Sequence, residues 1–416
     1  MTISIDISVN QARLSKELEQ LAMFSATPAP AVTRILYTEP DMAARVYLKK
    51  LMRQVGLSVR EDALGNTFAR WEGLGEGLSA VATGSHIDAI PHSGRFDGTV
   101  GVLGALEAIR ALQEAGFKPK RSIELLLFAS EEPTRFGMGC LGSRALSGSL
   151  RPNEVRALKD EEGQTVDEVR RQVGFEGELE DVSLSEETYH AFVELHIEQG
   201  PLLEQKGLDI GVVTAIAAPA TLNITLEGQG GHAGAVLMPE RRDALLCGAE
   251  IALAVEEAAR TSGSVDTVAT VGVFDVHPRA VNSIPSRVSL SVDARDTDLA
   301  RRDQMVARIK ASVKEISEGR KVGAELSVLN ADPPATCDDA VIHAVEGATR
   351  AFSLSSLPMV SRAYHDTLFM ARLCPVGMIF IPCKDGVSHR PDEYSSPEAI
   401  EKGVQVLAHT LAALAG

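Results

Sequence analysis

The sequence predicts an α/β protein in which a discontinuous domain, built on a mainly parallel sheet flanked by helices, is interrupted by a smaller inserted domain. Three observations lead to this prediction. The chain has 416 residues, more than twice the roughly 150 residues of an ordinary domain. Its first half alternates helical periodicity with short apolar runs, and the order of the elements changes between residues 214 and 331.

The first part of the chain alternates amphipathic helices with buried strands. The predicted elements are helices at residues 11–24, 41–55 and 99–115 and strands at 78–85 and 123–130. Continuous apolar strands separated by helices indicate a parallel sheet that is covered on both faces. Gly73–Gly77 (GLGEG), which directly precedes the strand at 78–85, is interpreted as a hairpin turn.

The second part, residues 214–331, has elements in the order β-α-β-β-α-β, which is the order of a ferredoxin-like unit. The predicted elements are strands at 221–226, 266–274, 287–293 and 324–329 and helices at 242–260 and 299–318. The α/β pattern then resumes, with helices at 339–352 and 397–415 and a strand at 377–382. The larger domain is therefore predicted to consist of residues 1–213 and 332–416.

Composition and charge exclude several classes of protein. With 44% hydrophobic and 24% charged residues, the chain has the composition of a soluble globular protein. The 41 Lys and Arg residues against 57 Asp and Glu give a net charge of −16, which disfavours a nucleic-acid partner. We found neither an apolar run of the roughly 18 residues that a membrane span needs nor the pattern of a signal peptide. We therefore expect no membrane partner and a cytoplasmic location.

Histidines and carboxylates follow the predicted strands. His86 and Asp88 come directly after the strand at 78–85, and Glu131 and Glu132 come after the strand at 123–130. Because functional groups of parallel sheets collect at the carboxyl ends of the strands, these side chains are candidates for one site. Three imidazoles and two carboxylates in such stretches form a mixture suited to Mn²⁺, Zn²⁺, Co²⁺ or Ni²⁺: His86, Asp97, Glu132, His196 and His389.

Five ligands are too many for one four-coordinate ion, so we predict two divalent ions. A bridging Asp97 would let the ions share the ligands about 3.5–4 Å apart, each with an open position. Glu131 is then free to accept a proton from the attacking water and to pass it to a leaving nitrogen. Asp88 is expected to accept the second ring N–H of His86.

The order and wording of these motifs resemble the M20-type dinuclear metallohydrolases over nearly the whole chain. GSHIDAIP, FDG, SEEPTRF, ELHIEQGP, MIFIP and GVSH are similar to stretches of the amidohydrolases that cleave a carbamoyl or ureido group. Longer stretches, such as SEEPTRFGMGCLGSR, GLDIGVVTAIAAPA, GGHAGAVLMP and EYSSPE, resemble the ureidoglycolate amidohydrolase subgroup. The resemblance implies His86, Asp97 and His196 on one ion, Asp97, Glu132 and His389 on the other, and Mn²⁺ as the expected metal.

The resemblance also implies residues that bind the substrate. His232 would stabilise the oxyanion, and Gln199 and Asn282 would orient the ureido group. Arg295 would hold a carboxylate with two parallel hydrogen bonds. Two further candidates lie in a segment where the subgroups differ: Tyr364 and His365.

The activity implied by the resemblance is hydrolysis of a small anionic ureide, ureidoglycolate, to glyoxylate, CO₂ and ammonia. The enzyme would be a homodimer joined through the inserted domain, which would also act as a lid. An N-carbamoyl-L-amino-acid hydrolase and an allantoate amidohydrolase share all the metal ligands and stay open as alternatives. A dinuclear exopeptidase fits less well, and a non-catalytic binding protein would have no use for Glu131.

Overall fold

The computed structural model describes residues 7–416, which divide into two compact units. The first unit runs to Thr214 and is completed by Thr336–Met359 and His365–Gly416. The second unit consists of Ala215–Ala335 and Val360–Tyr364. Within residues 7–416, no helix combines the length and the apolar character that a membrane crossing requires.

The described residues before the second unit alternate short strands with helices. These elements are α1 (Gln11–Ala22), β1 (Val32–Arg34), α2 (Glu39–Gln54), β2 (Ser58–Glu61), β3 (Thr67–Trp71), β4 (Ala80–Ser85), β5 (Ala89–Ser93), α3 (Thr99–Glu114), β6 (Ile123–Leu127), α4 (Leu141–Leu146), α5 (Pro152–Ala157), α6 (Val166–Gln172), β7 (Tyr189–Ile197), α7 (Leu202–Lys206) and β8 (Ile210–Ile216).

The remaining elements belong to the second unit and to the C-terminal part of the first. They are β9 (Ala218–Glu227), β10 (Gly231–His232), α8 (Ala244–Arg260), β11 (Val268–His277), β12 (Ser283–Ile284), β13 (Arg287–Asp296), α9 (Leu299–Arg320), β14 (Gly323–Ala331), β15 (Ala335–Thr336), α10 (Asp339–Ala351), β16 (Ser356–Ser361), α11 (Thr367–Met370), β17 (Val376–Ile381) and α12 (Pro397–Ala415).

A nine-stranded mixed sheet forms the centre of the first unit. Its strand order is β15-β8-β17-β7-β4-β6-β3-β2, and β16 also pairs with β8. The neighbours β17, β7, β4 and β6 are parallel, whereas β8 is antiparallel to β17, β3 is antiparallel to β6, and β2 is antiparallel to β3. The predicted α/β class is confirmed, and four consecutive parallel strands lie at the centre of the sheet. At one margin, a short loop joins β2 to β3, and such a loop can connect only antiparallel strands.

Both faces of the central strands are buried. Alternate residues of β6 pack into different apolar clusters: Ile123 and Leu125 join a cluster with α3 and α12, while Leu126 joins a cluster with α4 on the opposite face. In β7, Val193 belongs to the first of these clusters and Phe192 to the second. Because side chains alternate along a strand, this division explains why these strands are continuously apolar in sequence.

The segment Gly73–Gly77 does not form the hairpin turn that we predicted. The strands on either side of it, β3 and β4, both pair with β6 and are therefore not neighbours. The glycine-rich segment instead connects two strands that lie on opposite sides of a third, so the interpretation as a hairpin was wrong.

The second unit contains a four-stranded antiparallel sheet with the order β11-β13-β9-β14. Alternate residues of β9, such as Leu222, Ile224 and Leu226, are buried in an apolar cluster with α8 and α9. If these four strands are numbered 1 to 4 in chain order, their order in the sheet is 2-3-1-4. Both α8 and α9 pack on one face of the sheet. This is the arrangement of a βαββαβ unit.

Candidate metal centre

Four of the five candidate ligands lie at or beyond the carboxyl ends of the four parallel strands, and Asp97 lies between β5 and α3. His86 directly follows β4, Glu131 and Glu132 follow β6, and His196 is the penultimate residue of β7. His389 lies in the segment between β17 and α12. Because these strands are consecutive in the sheet, residues far apart in sequence are brought to one edge.

Asp97 joins two groups of candidate ligands in the structure. One ligand atom from each of His86, Asp97 and His196 lies within 4.8 Å of the others, and the same is true of Asp97, Glu132 and His389. Asp97 Oδ1 is 3.1 Å from His196 Nε2 and 3.6 Å from His86 Nε2. Asp97 Oδ2 is 3.2 Å from His389 Nε2. Each carboxylate oxygen therefore faces one group, as a bridging ligand requires.

The histidines and carboxylates in these groups stabilise each other's charged forms. Burial acts to raise the pKa of Asp97, but hydrogen bonds from His196, His389 and His86 hold that pKa well below its ordinary value. Hydrogen bonds to Asp97 and Glu132 raise the pKa of His389 to about 11. A metal ion binds neutral imidazole, so ion binding here should release protons.

The ring orientations of the two buried histidines fit divalent-metal ligation. His196 Nδ1 lies 2.9 Å from the carbonyl of Ile197, and His196 Nε2 accepts the N–H of Gly98 at 3.2 Å. His86 Nδ1 lies 3.1 Å from the carbonyl of Asp88. A carbonyl beside Nδ1 favours the proton on that nitrogen, so Nε2, which lies on the side of Asp97, is the candidate metal-ligating atom of each ring.

Asp88 connects the two strand ends that carry the ligands. Its carboxylate oxygens accept the backbone N–H groups of Glu131 at 3.0 Å and of Glu132 at 2.9 Å. The carboxylate of Asp88 is 3.4 Å from His86 Nδ1, farther away than its backbone carbonyl. Asp88 therefore lies beside the imidazole, and its carboxylate holds the Glu131–Glu132 turn in place.

Glu131 belongs to neither group of ligands. Its side chain is buried, with Oε2 4.0 Å from His86 Nε2 and Oε1 3.7 Å from the thiol of Cys140. Burial raises the pKa of Glu131 well above its ordinary value, and the nearby charge of Glu132 adds to this rise, although His86 opposes it. A carboxyl group that lies beside the candidate ligands but belongs to neither group is placed to act as a general base and acid.

Gln199, a predicted substrate-binding residue, contacts the bridging carboxylate in this structure. Its amide Nε2 donates to Asp97 Oδ2 at 2.8 Å. The backbone of Gln199 has a positive φ of 56°, and among residues 7–416 its buried Oε1 is one of the few polar atoms without a hydrogen-bond partner. Gln199 therefore contacts a candidate ligand through Nε2 and carries an unsatisfied acceptor on the same side chain.

His365 is buried against the ligand histidine. Its ring centroid is 4.6 Å from that of His196, in an edge-to-face arrangement. Glu194, His196 and His365 also each offer one ligand atom within 4.8 Å of one another. The neighbouring Tyr364 belongs to the second unit, where its hydroxyl donates to Asp332 Oδ2 at 2.7 Å.

The other predicted substrate-binding residues lie in the second unit. His232 is exposed on β10, which pairs with β12. Asn282 directly precedes β12, and its carbonyl accepts the N–H of Ala233. Arg295 binds the carboxylate of Asp293 through Nε at 2.7 Å and Nη2 at 3.1 Å. The guanidinium group of Arg295 thus forms an ion pair with Asp293 on its own strand.

Sequence reasoning did not identify Ser388 and Glu393. The hydroxyl of Ser388 lies 2.9 Å from Asp97 Oδ2, and the buried carboxylate of Glu393 accepts the N–H of Asp97 at 3.1 Å. Burial, together with the nearby charge of Asp97, raises the pKa of Glu393 to about 7. Both residues lie in the stretch GVSHRPDEYSS, where only His389 was singled out.

Replacing Gly98 with alanine is expected to disrupt the metal centre. Gly98 has a φ of 65°, and a Cβ there would lie 2.4 Å from His86 Nε2. We expect at least about 10-fold weaker Mn²⁺ binding by Gly98→Ala, measured by equilibrium dialysis, because the imidazole must move. Gly116→Ala is the matched control, since Gly116 also has a positive φ but nothing within 4 Å of its Cβ. Equal Mn²⁺ binding by the two variants would contradict the assignment of His86.

Comparison with known proteins places the chain in a family. Residues 82–413 match the family described as Peptidase family M20/M25/M40. "Ureidoglycolate hydrolase" of Arabidopsis thaliana is 54% identical over 100% of this chain and 88% of its own. "N-carbamoyl-L-amino acid amidohydrolase" of Geobacillus stearothermophilus is 38% identical over 97% of this chain and 98% of its own.

One solved structure is similar to this chain over nearly its whole length. The crystal structure of AtUAH in complex with (S)-hydroxyglycine has a TM-score of 0.90 and 53% identity, covering 98% of each chain. The resemblance to M20-type hydrolases that the motifs indicated is confirmed. The chain belongs to peptidase family M20/M25/M40.

Proposed function

We propose that this protein is an amidohydrolase that hydrolyses the ureido C–N bond of ureidoglycolate. The products would be glyoxylate, CO₂ and ammonia. The observation that carries the choice of substrate is the 54% identity, over the whole chain, to a protein named for ureidoglycolate hydrolysis, against 38% for one named for N-carbamoyl amino acids. The reaction type is supported by the position of Glu131 beside, but outside, two ligand groups that share Asp97.

We propose that His86, Asp97 and His196 hold one divalent ion and that Asp97, Glu132 and His389 hold a second. Three imidazoles and two carboxylates suit Mn²⁺, our expected ion, as well as Zn²⁺, Co²⁺ or Ni²⁺. Divalent ions bound here would polarise the carbonyl of the substrate and lower the pKa of water.

Glu131 is the proposed proton carrier of the reaction. It would take a proton from the attacking water and deliver it to the nitrogen that leaves the ureido carbon. Cleavage then yields carbamate, which decomposes to CO₂ and ammonia, and hydroxyglycine, which decays to glyoxylate and a second ammonia. The compound bound in the similar crystal structure, (S)-hydroxyglycine, is an expected product of this scheme.

The substrate-binding residues are proposed from the family resemblance. His232 is proposed to stabilise the oxyanion, Arg295 to bind the carboxylate, and Gln199 and Asn282 to orient the ureido group. Gln199 has the clearest structural support, because its unpartnered Oε1 lies on a side chain that already contacts Asp97. Tyr364 and His365 are the proposed specificity residues.

The proposed enzyme is a cytoplasmic homodimer. The resemblance supports dimerisation through the second unit, which would also serve as a lid. β11 is an edge strand of the second unit's sheet and none of its residues is buried, which leaves it accessible to the second subunit.

A panel of substrates tests the proposed specificity. The Mn²⁺-loaded protein is assayed for ammonia release from ureidoglycolate, allantoate and several N-carbamoyl-L-amino acids. We expect the highest kcat/KM for ureidoglycolate. If ureidoglycolate is the poorest of the panel, the proposed substrate is wrong, and cleavage of dipeptides in a parallel assay would favour an exopeptidase.

A further inference from the structure

The carboxylate of Glu393 contacts two of the segments that form the metal centre. Its Oε1 accepts the backbone N–H groups of Phe96 at 2.8 Å and of Asp97 at 3.1 Å. Its Oε2 accepts the hydroxyl of Ser388 at 2.9 Å, and Ser388 directly precedes His389. One buried side chain therefore joins the segment that carries Asp97 to the segment that carries His389.

The hydroxyl of Ser388 extends this contact to the bridging carboxylate itself. Ser388 Oγ lies 2.9 Å from Asp97 Oδ2 as well as 2.9 Å from Glu393 Oε2. Asp97 Oδ2 is also the oxygen that faces His389. Glu393 is thus connected to Asp97 in two ways. It accepts the backbone N–H of Asp97, and its carboxylate and that of Asp97 both lie within hydrogen-bond distance of the Ser388 hydroxyl.

The space occupied by Glu393 exists because residue 94 is a glycine. A Cβ on Gly94 would lie 2.4 Å from the Cβ, Cδ and Oε1 atoms of Glu393. The backbone before Asp97 therefore passes directly against the Glu393 side chain. Such a close fit leaves the carboxylate little freedom to move relative to Asp97.

We propose that Glu393 is a positioning residue of the metal centre, holding Asp97 and the His389 segment in the arrangement that a shared ion needs. The carboxyl group of Glu393 suits this task because its two oxygens accept hydrogen bonds from both segments at once. Partners that fix a metal ligand in place commonly affect metal affinity as well as the fold. This proposal rests on the proposed function only in that both ligand groups are taken to bind divalent ions.

Titration with Mn²⁺ in an isothermal calorimeter tests the role of Glu393. We expect Glu393→Ala to bind Mn²⁺ about 10–100-fold more weakly than the unmodified protein. Glu393→Gln should lose less, because its amide oxygen can still accept the N–H groups of Phe96 and Asp97. Asp392→Asn, at the exposed neighbouring position, is the matched control and should bind as the unmodified protein does. Unchanged Mn²⁺ affinity in Glu393→Ala would overturn the proposal.

Thermal unfolding of the metal-free proteins separates positioning from a merely structural role. A lower melting temperature of Glu393→Ala combined with unchanged Mn²⁺ affinity would indicate a structural role only and would overturn the proposal. If Glu393→Ala does not fold, Ser388→Ala decides the question: weaker Mn²⁺ binding supports the proposal and unchanged binding overturns it. The titration uses no ureide, so a failure of the unmodified protein to hydrolyse ureidoglycolate would refute the proposed function without affecting this result.

Discussion

Glu131→Gln is expected to lower kcat for ureidoglycolate by about 10²–10⁴-fold, the usual contribution of a general acid–base residue. Glutamine has nearly the same shape as glutamate but cannot accept a proton from water at neutral pH. Because Glu131 belongs to neither ligand group, the Mn²⁺ content should be that of the unmodified protein. Steady-state kinetics together with elemental analysis of the same sample would measure both quantities.

The control for this variant is Glu161→Gln, which makes the same chemical change at an exposed turn. Its kcat should equal that of the unmodified protein. If Glu131→Gln keeps full activity with normal Mn²⁺ content, Glu131 is not the base. If neither the unmodified protein nor Glu161→Gln hydrolyses any ureide or carbamoyl acid, a non-catalytic binding protein becomes the better interpretation.

Asp97→Ala should lower activity by at least about 10³-fold, because loss of several kcal/mol of charge stabilisation corresponds to that factor. Asp97 is the residue shared by both ligand groups, with one oxygen toward each. Its removal also leaves His86, His196 and His389 without their common acceptor. We therefore expect Mn²⁺ binding to be weakened at both positions, as equilibrium dialysis with elemental analysis can measure.

His389→Ala is the informative comparison for Asp97→Ala. The half-exposed His389 belongs to only one group, the one with Asp97 and Glu132. His389→Ala should therefore lose about half as much bound Mn²⁺ as Asp97→Ala when both are dialysed at the same free concentration. If the two variants lose equal amounts, Asp97 does not bridge two ions.

The grouping of the candidate ligands could be expected from the sequence because of how parallel strands end. His86 follows β4 directly and Glu132 lies five residues beyond β6, both after apolar runs that can be recognised as buried strands. The carboxyl ends of neighbouring parallel strands meet at one edge, so the long sequence separation between these ligands did not hinder the prediction.

The loop conformations around the ligands could not be expected from the sequence. Ser130, Gln199 and His389 all have positive φ values, which sequence patterns do not indicate for residues other than glycine. Such conformations depend on the surrounding structure and are common at functional sites. Glu393 lies four residues after His389 in such a loop, so its contact with Asp97 could not be expected from the sequence.

The partner of Arg295 is a different case, because the sequence contained the information. Asp293 and Arg295 are two residues apart on β13, and residues so spaced lie on the same face of a strand. An ion pair between them was therefore foreseeable. The resemblance implies a substrate carboxylate as the partner of Arg295, whereas in the structure the guanidinium group binds Asp293.

The products of ureidoglycolate turnover test the central claim most directly. The Mn²⁺-loaded protein is incubated with ureidoglycolate, and glyoxylate, ammonia and urea are quantified, with Glu131→Gln as the background for spontaneous decay. Hydrolysis of the ureido C–N bond predicts two molecules of ammonia for each glyoxylate and no urea above the background. Urea formed in equal amount to glyoxylate, or no product above the background, would contradict it.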